Sequence, residues 1–207
     1  MTNRNYAVLG SLSGITFWVT YLIMSSIRTE YTHFHKAVSE LGSVDASNAI
    51  ISNLIGFILV GIFICVFAIG LHKSISNGTN GRVAFYPLFA CGIFYACAGL
   101  FPADMENRTS LITILHLIGS MGSGLFFVVA VFAYISPMRA SHYWKSAVIP
   151  SLILVLLFIA SGFLRSGETP ALGQKIGFFF FFLWLGFMAF KLYSHTAAEQ
   201  SEPATSS

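Results

Sequence analysis

Six stretches of the chain stay apolar long enough to cross a bilayer, and the polar residues gather between them. A spanning helix needs about 20 mostly apolar residues at a rise of about 1.5 Å each. The runs that meet this requirement are Tyr6–Ile27, Asn48–Leu71, Val83–Phe101, Leu111–Ile135, Ala147–Leu164 and Gln174–Tyr193. None shows the apolar/polar alternation over about ten residues that a membrane β-strand needs. Helices satisfy their own backbone groups away from water, so helices are the expected form. Short connections then imply an up-and-down bundle in which sequence neighbours touch. The pattern predicts an all-α, polytopic membrane bundle of about six transmembrane helices over residues 1–193. The remaining 194–207, SHTAAEQSEPATSS, is expected to be a disordered, polar, cytoplasmic tail.

The first run is too long for the apolar core of a secretory signal and ends in MSSIRTEY rather than a cleavage motif, so it is read as a retained helix. The first connection is more than a linker. Phe34, Ala37, Val38 and Leu41 recur at helical spacing, with His33, Lys36 and Glu40 opposite. This predicts a short interfacial amphipathic helix ended by Gly42, roofing the bundle.

Composition agrees with the bilayer reading. The chain has 207 residues, 56% apolar and 9% charged, with 21 Phe and a mean hydropathy of +0.76. A soluble domain carries about 25% charged residues, so lipid must cover most of this surface. The formal net charge is +3 and the basic residues are scattered, which argues against nucleic acid as a partner. Cys65, Cys91 and Cys97 fall inside apolar runs and are expected to pack as small hydrophobes.

Charge in the connections bears on orientation. With the N-terminus inside, the cytoplasmic side holds Arg4, Lys73, Arg82, Arg139, Lys145 and Lys191. The other side holds Arg28, Lys36, Arg108, Arg165 and Lys175, and also Glu30, Glu40, Asp45, Asp104, Glu106 and Glu168. The slight basic excess favours N-in and C-in.

Candidate chemistry lies on that second side, where the first, third and fifth connections emerge together. Asp104 follows Pro102 at the end of the third run. His116 sits about 8 Å below the start of the fourth helix, a depth at which an ionisable group must face the bundle or a watery cavity. Thr113, His116, Ser120 and Ser123 make one side of that helix polar, and Gly119, Gly122 and Gly124 permit close helix approach. Asn48, Ser52 and Gly56 form a small, polar seam on the second helix, and Phe178 to Phe182 form a packing or lipid-facing surface. Arg165, Glu168, Gln174 and Lys175 gather around the fifth connection. His33, His35, His116 and Asp104 hold potential zinc ligands, but residues two apart on a helix point to different sides. No cofactor or metal is assigned. P-loop, nucleophile-elbow and HExxH signatures are absent.

Four ordered segments carry a resemblance: SELG at Ser39–Gly42, the helix start Asn48–Gly56, GLFPAD at Gly99–Asp104 followed by His116, and GQK at Gly173–Lys175. Together they resemble the bacterial and archaeal membrane family catalogued as domain of unknown function 998. The likeness covers nearly the whole chain except the tail. It implies site positions at Ser39, Glu40, Leu41, Asp104, His116 and Gln174, with Lys175 where the family usually has Arg. Lysine keeps the charge but loses the bidentate fork. The resemblance also implies a bacterial inner membrane, and it carries no established activity.

Three functions fit these residues. In the first, Glu40, Asp104 and His116 are catalytic groups of a membrane enzyme acting on a lipid or small molecule. Ser39, Asn48, Arg165, Gln174 and Lys175 would then bind the ligand. In the second, the same groups belong to a lipid- or solute-binding or transport protein. In the third, they form a network that steadies a structural partner of another membrane protein. Membrane lipid is a partner in each, and a homo-oligomer is compatible with all.

Overall fold

The computed structural model describes the backbone of residues 1–75, 79–164 and 166–201, and the side chains of these except 79–81 and 196–201. Among the described residues six helices are long and apolar enough to cross a membrane: Asn3–Ile27, Ala49–Ile75, Arg82–Leu100, Leu111–Ala140, Trp144–Ser161 and Leu172–His195. They are the first to sixth spans below, and each overlaps the run expected for it. No strand occurs among the described residues. The last helix continues past the expected boundary at Tyr193, through Ser201, while 202–207 lie outside the described residues.

Local signals start the helices. The Thr2 side chain accepts from the Asn5 amide at the head of the first span, and Ser110 accepts from the Thr113 amide at the head of the fourth. Each satisfies a donor that a helix start leaves bare. The second span begins at Asn48, the one non-glycine residue with positive φ among those described, at 64°. Its side chain is exposed and makes no cap bond. A left-handed conformation costs a β-branched residue more than Asn. Asn48→Val is therefore expected to destabilise the protein by about 1–2 kcal/mol, and Asn48→Gly to be near neutral. Thermal unfolding in detergent checks both.

The first span packs on both the second and the sixth, and the third lies along the fourth in the broadest contact of the bundle. Small residues set the closest approaches. A Cβ on Gly61 would meet the Gly92 carbonyl oxygen at 2.5 Å. A Cβ on Gly119 would meet the Ala98 nitrogen at 2.7 Å, drawing the fourth span onto the third. In between is an aromatic core. Tyr95 stacks on Phe57 at 5.5 Å and on Phe181 at 5.9 Å, and Phe17 stacks on Phe182 at 4.5 Å. The phenylalanine run is thus split by helical phase: Phe181 and Phe182 are buried while Phe179 faces outward. The three cysteines are free thiols.

The second span contains a π-helical turn over Leu54–Leu59, between α-helical Ala49–Asn53 and Val60–Ile75. A π turn inserts one extra residue into the ladder and so re-aims the preceding side chains. Here it leaves Asn53 donating to the Gly42 carbonyl at 2.8 Å, tying this span to the first connection. Of the expected seam, Ser52 is buried and Gly56 packs against Thr20, but Asn48 is exposed.

Candidate functional site

The first connection folds across the end of the bundle as turns and a five-residue 3-10 helix, Val38–Gly42. The expected amphipathic α-helix does not form. Its carbonyls have been given to other partners. Phe34 O accepts from the Ala171 amide at 3.0 Å, and Lys36 O accepts from Lys175 Nζ at 2.6 Å and from Tyr31 Oη at 3.1 Å. A segment whose carbonyls are bonded to donors elsewhere in the chain does not build the continuous i to i+4 ladder of an α-helix. The apolar face is divided in consequence, with Val38 and Leu41 buried and Phe34 55% exposed.

Several elements hold this segment down. Gln174 Oε1 accepts from the Val38 amide at 2.9 Å. Arg28 donates through Nη1 to the Glu40 carbonyl at 2.6 Å and through Nε to Glu30 at 2.6 Å. The Glu30 carboxyl is held below the usual carboxylate range, first by its own backbone amide and then by Arg28. Burial pushes the Tyr31 phenol up, so it remains a donor to the Lys36 and Ala37 carbonyls. The Val44 amide donates to Ala103 O at 3.0 Å, joining the first connection to the third.

The third connection is shaped by Asp104. Its Oδ1 accepts from the amides of Glu106 at 3.0 Å and Asn107 at 2.8 Å. Its own amide donates to Thr113 Oγ1 at 2.9 Å, which fixes the loop to the first turn of the fourth span. One turn deeper lies His116, buried, with Nδ1 2.8 Å from Ala98 O and 2.9 Å from Phe101 O. A carbonyl oxygen only accepts, so Nδ1 carries the hydrogen. That leaves Nε2 as the ring nitrogen available to a ligand.

These pieces enclose a cavity of about 510 Å³. The first connection lines it with His35, Ser39 and Glu40; the third with Asp104, Met105 and Arg108; the fourth span with Thr113, His116, Leu117 and Ser120. The start of the sixth span closes it with Ala171 and Gln174. Glu40, Asp104 and His116 thus share one cavity although 76 residues separate the first from the last. Glu40 Oε1 accepts from the Ala37 amide at 2.8 Å. The second oxygens of Glu40 and of Asp104 accept no hydrogen bond among the described residues.

Not every expected ligand-binding residue belongs to the cavity. Ser39 and Gln174 line it, Asn48 and Lys175 do not, and Arg165 lies outside the described residues. Lys175 points instead at the Lys36 carbonyl, with Nζ 5.5 Å from the centre of the Tyr31 ring. Its charge is spent on steadying the roof. Arg108 was legible only as a loop charge, yet it borders the cavity and makes no ion pair among the described residues. The signal that could have found it is its place between Asp104 and the start of the fourth helix.

His33 and His35 part company: His33 Nδ1 is 2.6 Å from Tyr21 Oη, while His35 lines the cavity. Among the described residues, no group of three or more His, Cys, Asp or Glu side chains is arranged to hold a metal ion.

No curated protein and no solved structure matches the chain. A family model described as a protein of unknown function does match, over residues 11–191, from within the first span to near the end of the sixth. That range takes in every residue lining the cavity, and the chain belongs to this family, DUF998, as an integral, multi-pass membrane protein.

Proposed function

We propose that this protein is a membrane enzyme that carries out acid/base chemistry on a lipid or small molecule, with Glu40, Asp104 and His116 as the reacting groups. The observation that carries the reading is that these three, supplied by three separate elements, line one cavity. Each keeps an atom that makes no hydrogen bond among the described residues: Nε2 of His116 and the second oxygen of each carboxylate. The other atom of each group is held by backbone, so the reacting atoms are oriented before a ligand arrives. His116 Nε2 takes a proton from the substrate, and the imidazolium so formed, stabilised by the Glu40 and Asp104 carboxylates of the same cavity, returns it to the leaving side.

The cavity opens on the side of the first, third and fifth connections. With N-in and C-in orientation that side is extracytoplasmic, and the membrane is the bacterial cytoplasmic membrane. Gln174 and Lys175 support a different role within the same site. Their bonds to Val38 and Lys36 keep the roof in register, which is the part of a purely structural reading that the contacts favour.

The test is product formation by purified protein in liposomes of total polar bacterial lipid, followed by mass spectrometry over time. Glu40→Gln, Asp104→Asn and His116→Ala are each expected to slow it by about 100-fold or more, with the unfolding temperature unchanged for the two isosteric changes, whereas His116→Ala also loses the buried bonds to Ala98 O and Phe101 O. If no lipid is altered by the wild type, and Glu40→Gln and Asp104→Asn lower the unfolding temperature instead, the groups are structural and the proposal fails.

A further inference from the structure

The cavity reaches sideways as well as upward. Ser120, its deepest residue on the fourth span, lies about 14 Å along the helix from Leu111. Leu117, one turn nearer the surface, also lines the cavity and is 47% exposed, with Met121 and Leu125 exposed below it. On a spanning helix such exposure is to lipid. The neighbour that would seal this side is the fifth span, and no residue of it lines the cavity. The fifth span meets the fourth lower down, where Phe158 packs on Phe127 at 5.0 Å and against Gly124. Above that contact the fifth span ends within one turn, at Ser161, which leaves a slot beside Leu117 with no residue of that span across it.

The charges at the slot are of both signs. Arg108 stands at the outer edge, exposed and without an ion pair among the described residues. Glu40 and Asp104 offer carboxylate oxygens inside. A purely anionic headgroup would meet two carboxylates, and a purely cationic one would leave Arg108 unmatched. A phosphate outside with an ammonium inside satisfies both.

Resting on the acid/base reading of the same cavity, we propose that its substrate is an amine-bearing zwitterionic phospholipid. It enters from the bilayer between the fourth and fifth spans, with its phosphate at Arg108 and its ammonium at Glu40 and Asp104. The acyl chains stay in lipid, passing over Leu117. A free phosphoethanolamine carries the same headgroup chemistry but makes no use of the lateral slot.

The experiment is native mass spectrometry from nanodiscs holding equal amounts of phosphatidylethanolamine, phosphatidylcholine and phosphatidylglycerol. Wild type is compared with Arg108→Gln and Leu117→Trp, and unfolding temperatures are recorded to show that all three are folded. One retained phosphatidylethanolamine is expected on the wild type, favoured about tenfold or more over the others. Phosphatidylcholine lacks the N–H donors, and phosphatidylglycerol lacks the cation. Arg108→Gln should weaken retention by roughly 10- to 100-fold, the loss of one charge-assisted contact, and Leu117→Trp should abolish it by filling the slot.

Phosphatidylglycerol retained as well as phosphatidylethanolamine would overturn the headgroup assignment. Unchanged retention in Leu117→Trp, or displacement of the lipid by soluble phosphoethanolamine at equal concentration, would overturn lateral entry. Phosphatidylethanolamine held but never converted supports this inference while removing the acid/base reading. Conversion of a water-soluble compound without retained lipid does the reverse.

Discussion

Gly61→Leu is expected to lower the unfolding temperature in detergent by about 10 °C. The second and third spans meet backbone to backbone at this point. A Cβ at Gly61 would come within 2.5 Å of Gly92 O, 2.7 Å of Ala96 N and 2.8 Å of the Ala96 Cβ. Two of these are main-chain atoms and cannot swing aside, so the helices must separate. The partner residue has the same constraint: a Cβ on Gly92 would lie 2.7 Å from Gly61 O. Overpacking of a tight interface costs about 3 kcal/mol, which for a chain of this length corresponds to roughly 6–12 °C. Gly186→Ala is the control, since a Cβ there meets nothing within 4 Å and should leave the transition where it is. Equal shifts for the two variants would mean that the second and third spans are not in close contact.

The second large effect concerns the roof. Gln174→Ala combined with Lys175→Ala removes the Val38 amide's acceptor and the Nζ donor to Lys36 O in one step. The first bond is neutral and the second charge-assisted, together worth about 3 kcal/mol. Hydrogen exchange across 34–42 should therefore accelerate by roughly 100-fold, while exchange in the spans stays slow. The Ala171 amide to Phe34 O bond, made by backbone alone, should survive and keep the segment from leaving altogether. Unchanged exchange at Val38 would show that the sixth span does not hold the first connection.

The fold was legible because the bilayer imposes a length requirement that six apolar runs visibly meet, and because strands would need an alternation the chain lacks. The family too was legible, from ordered motifs whose residues lie at one end of the bundle. The roof was misjudged. Periodicity at Phe34, Ala37, Val38 and Leu41 describes what a segment would bury as a free helix, and takes no account of the carbonyls claimed by Lys175, Tyr31 and the Ala171 amide. The same blind spot affected Lys175. A cation near a helix start reads as a ligand grip or an interfacial anchor, and its acceptor, a carbonyl 139 residues away in sequence, cannot be found by spacing. His116 was found because an ionisable residue at that depth needs a reason, but its hydrogen-bonding to Ala98 and Phe101 depends on how the third span ends. Arg108 carried no such flag, since an arginine in a loop is unremarkable until a cavity opens beside it.

The spans differ greatly in length, 18 residues in the fifth against 30 in the fourth. At about 1.5 Å per residue the fifth reaches roughly 27 Å, slightly less than the hydrocarbon thickness of about 30 Å, whereas its neighbour exceeds it by half. A bilayer meets a short helix by thinning around it. A leaflet that thins beside the fifth span would be drawn inward on the side where the cavity slot lies, bringing a phospholipid there lower than its neighbours. Thicker membranes would deepen this dimple and raise its elastic cost, so on the proposed lateral route bilayer thickness itself would control how readily a headgroup reaches Glu40 and Asp104.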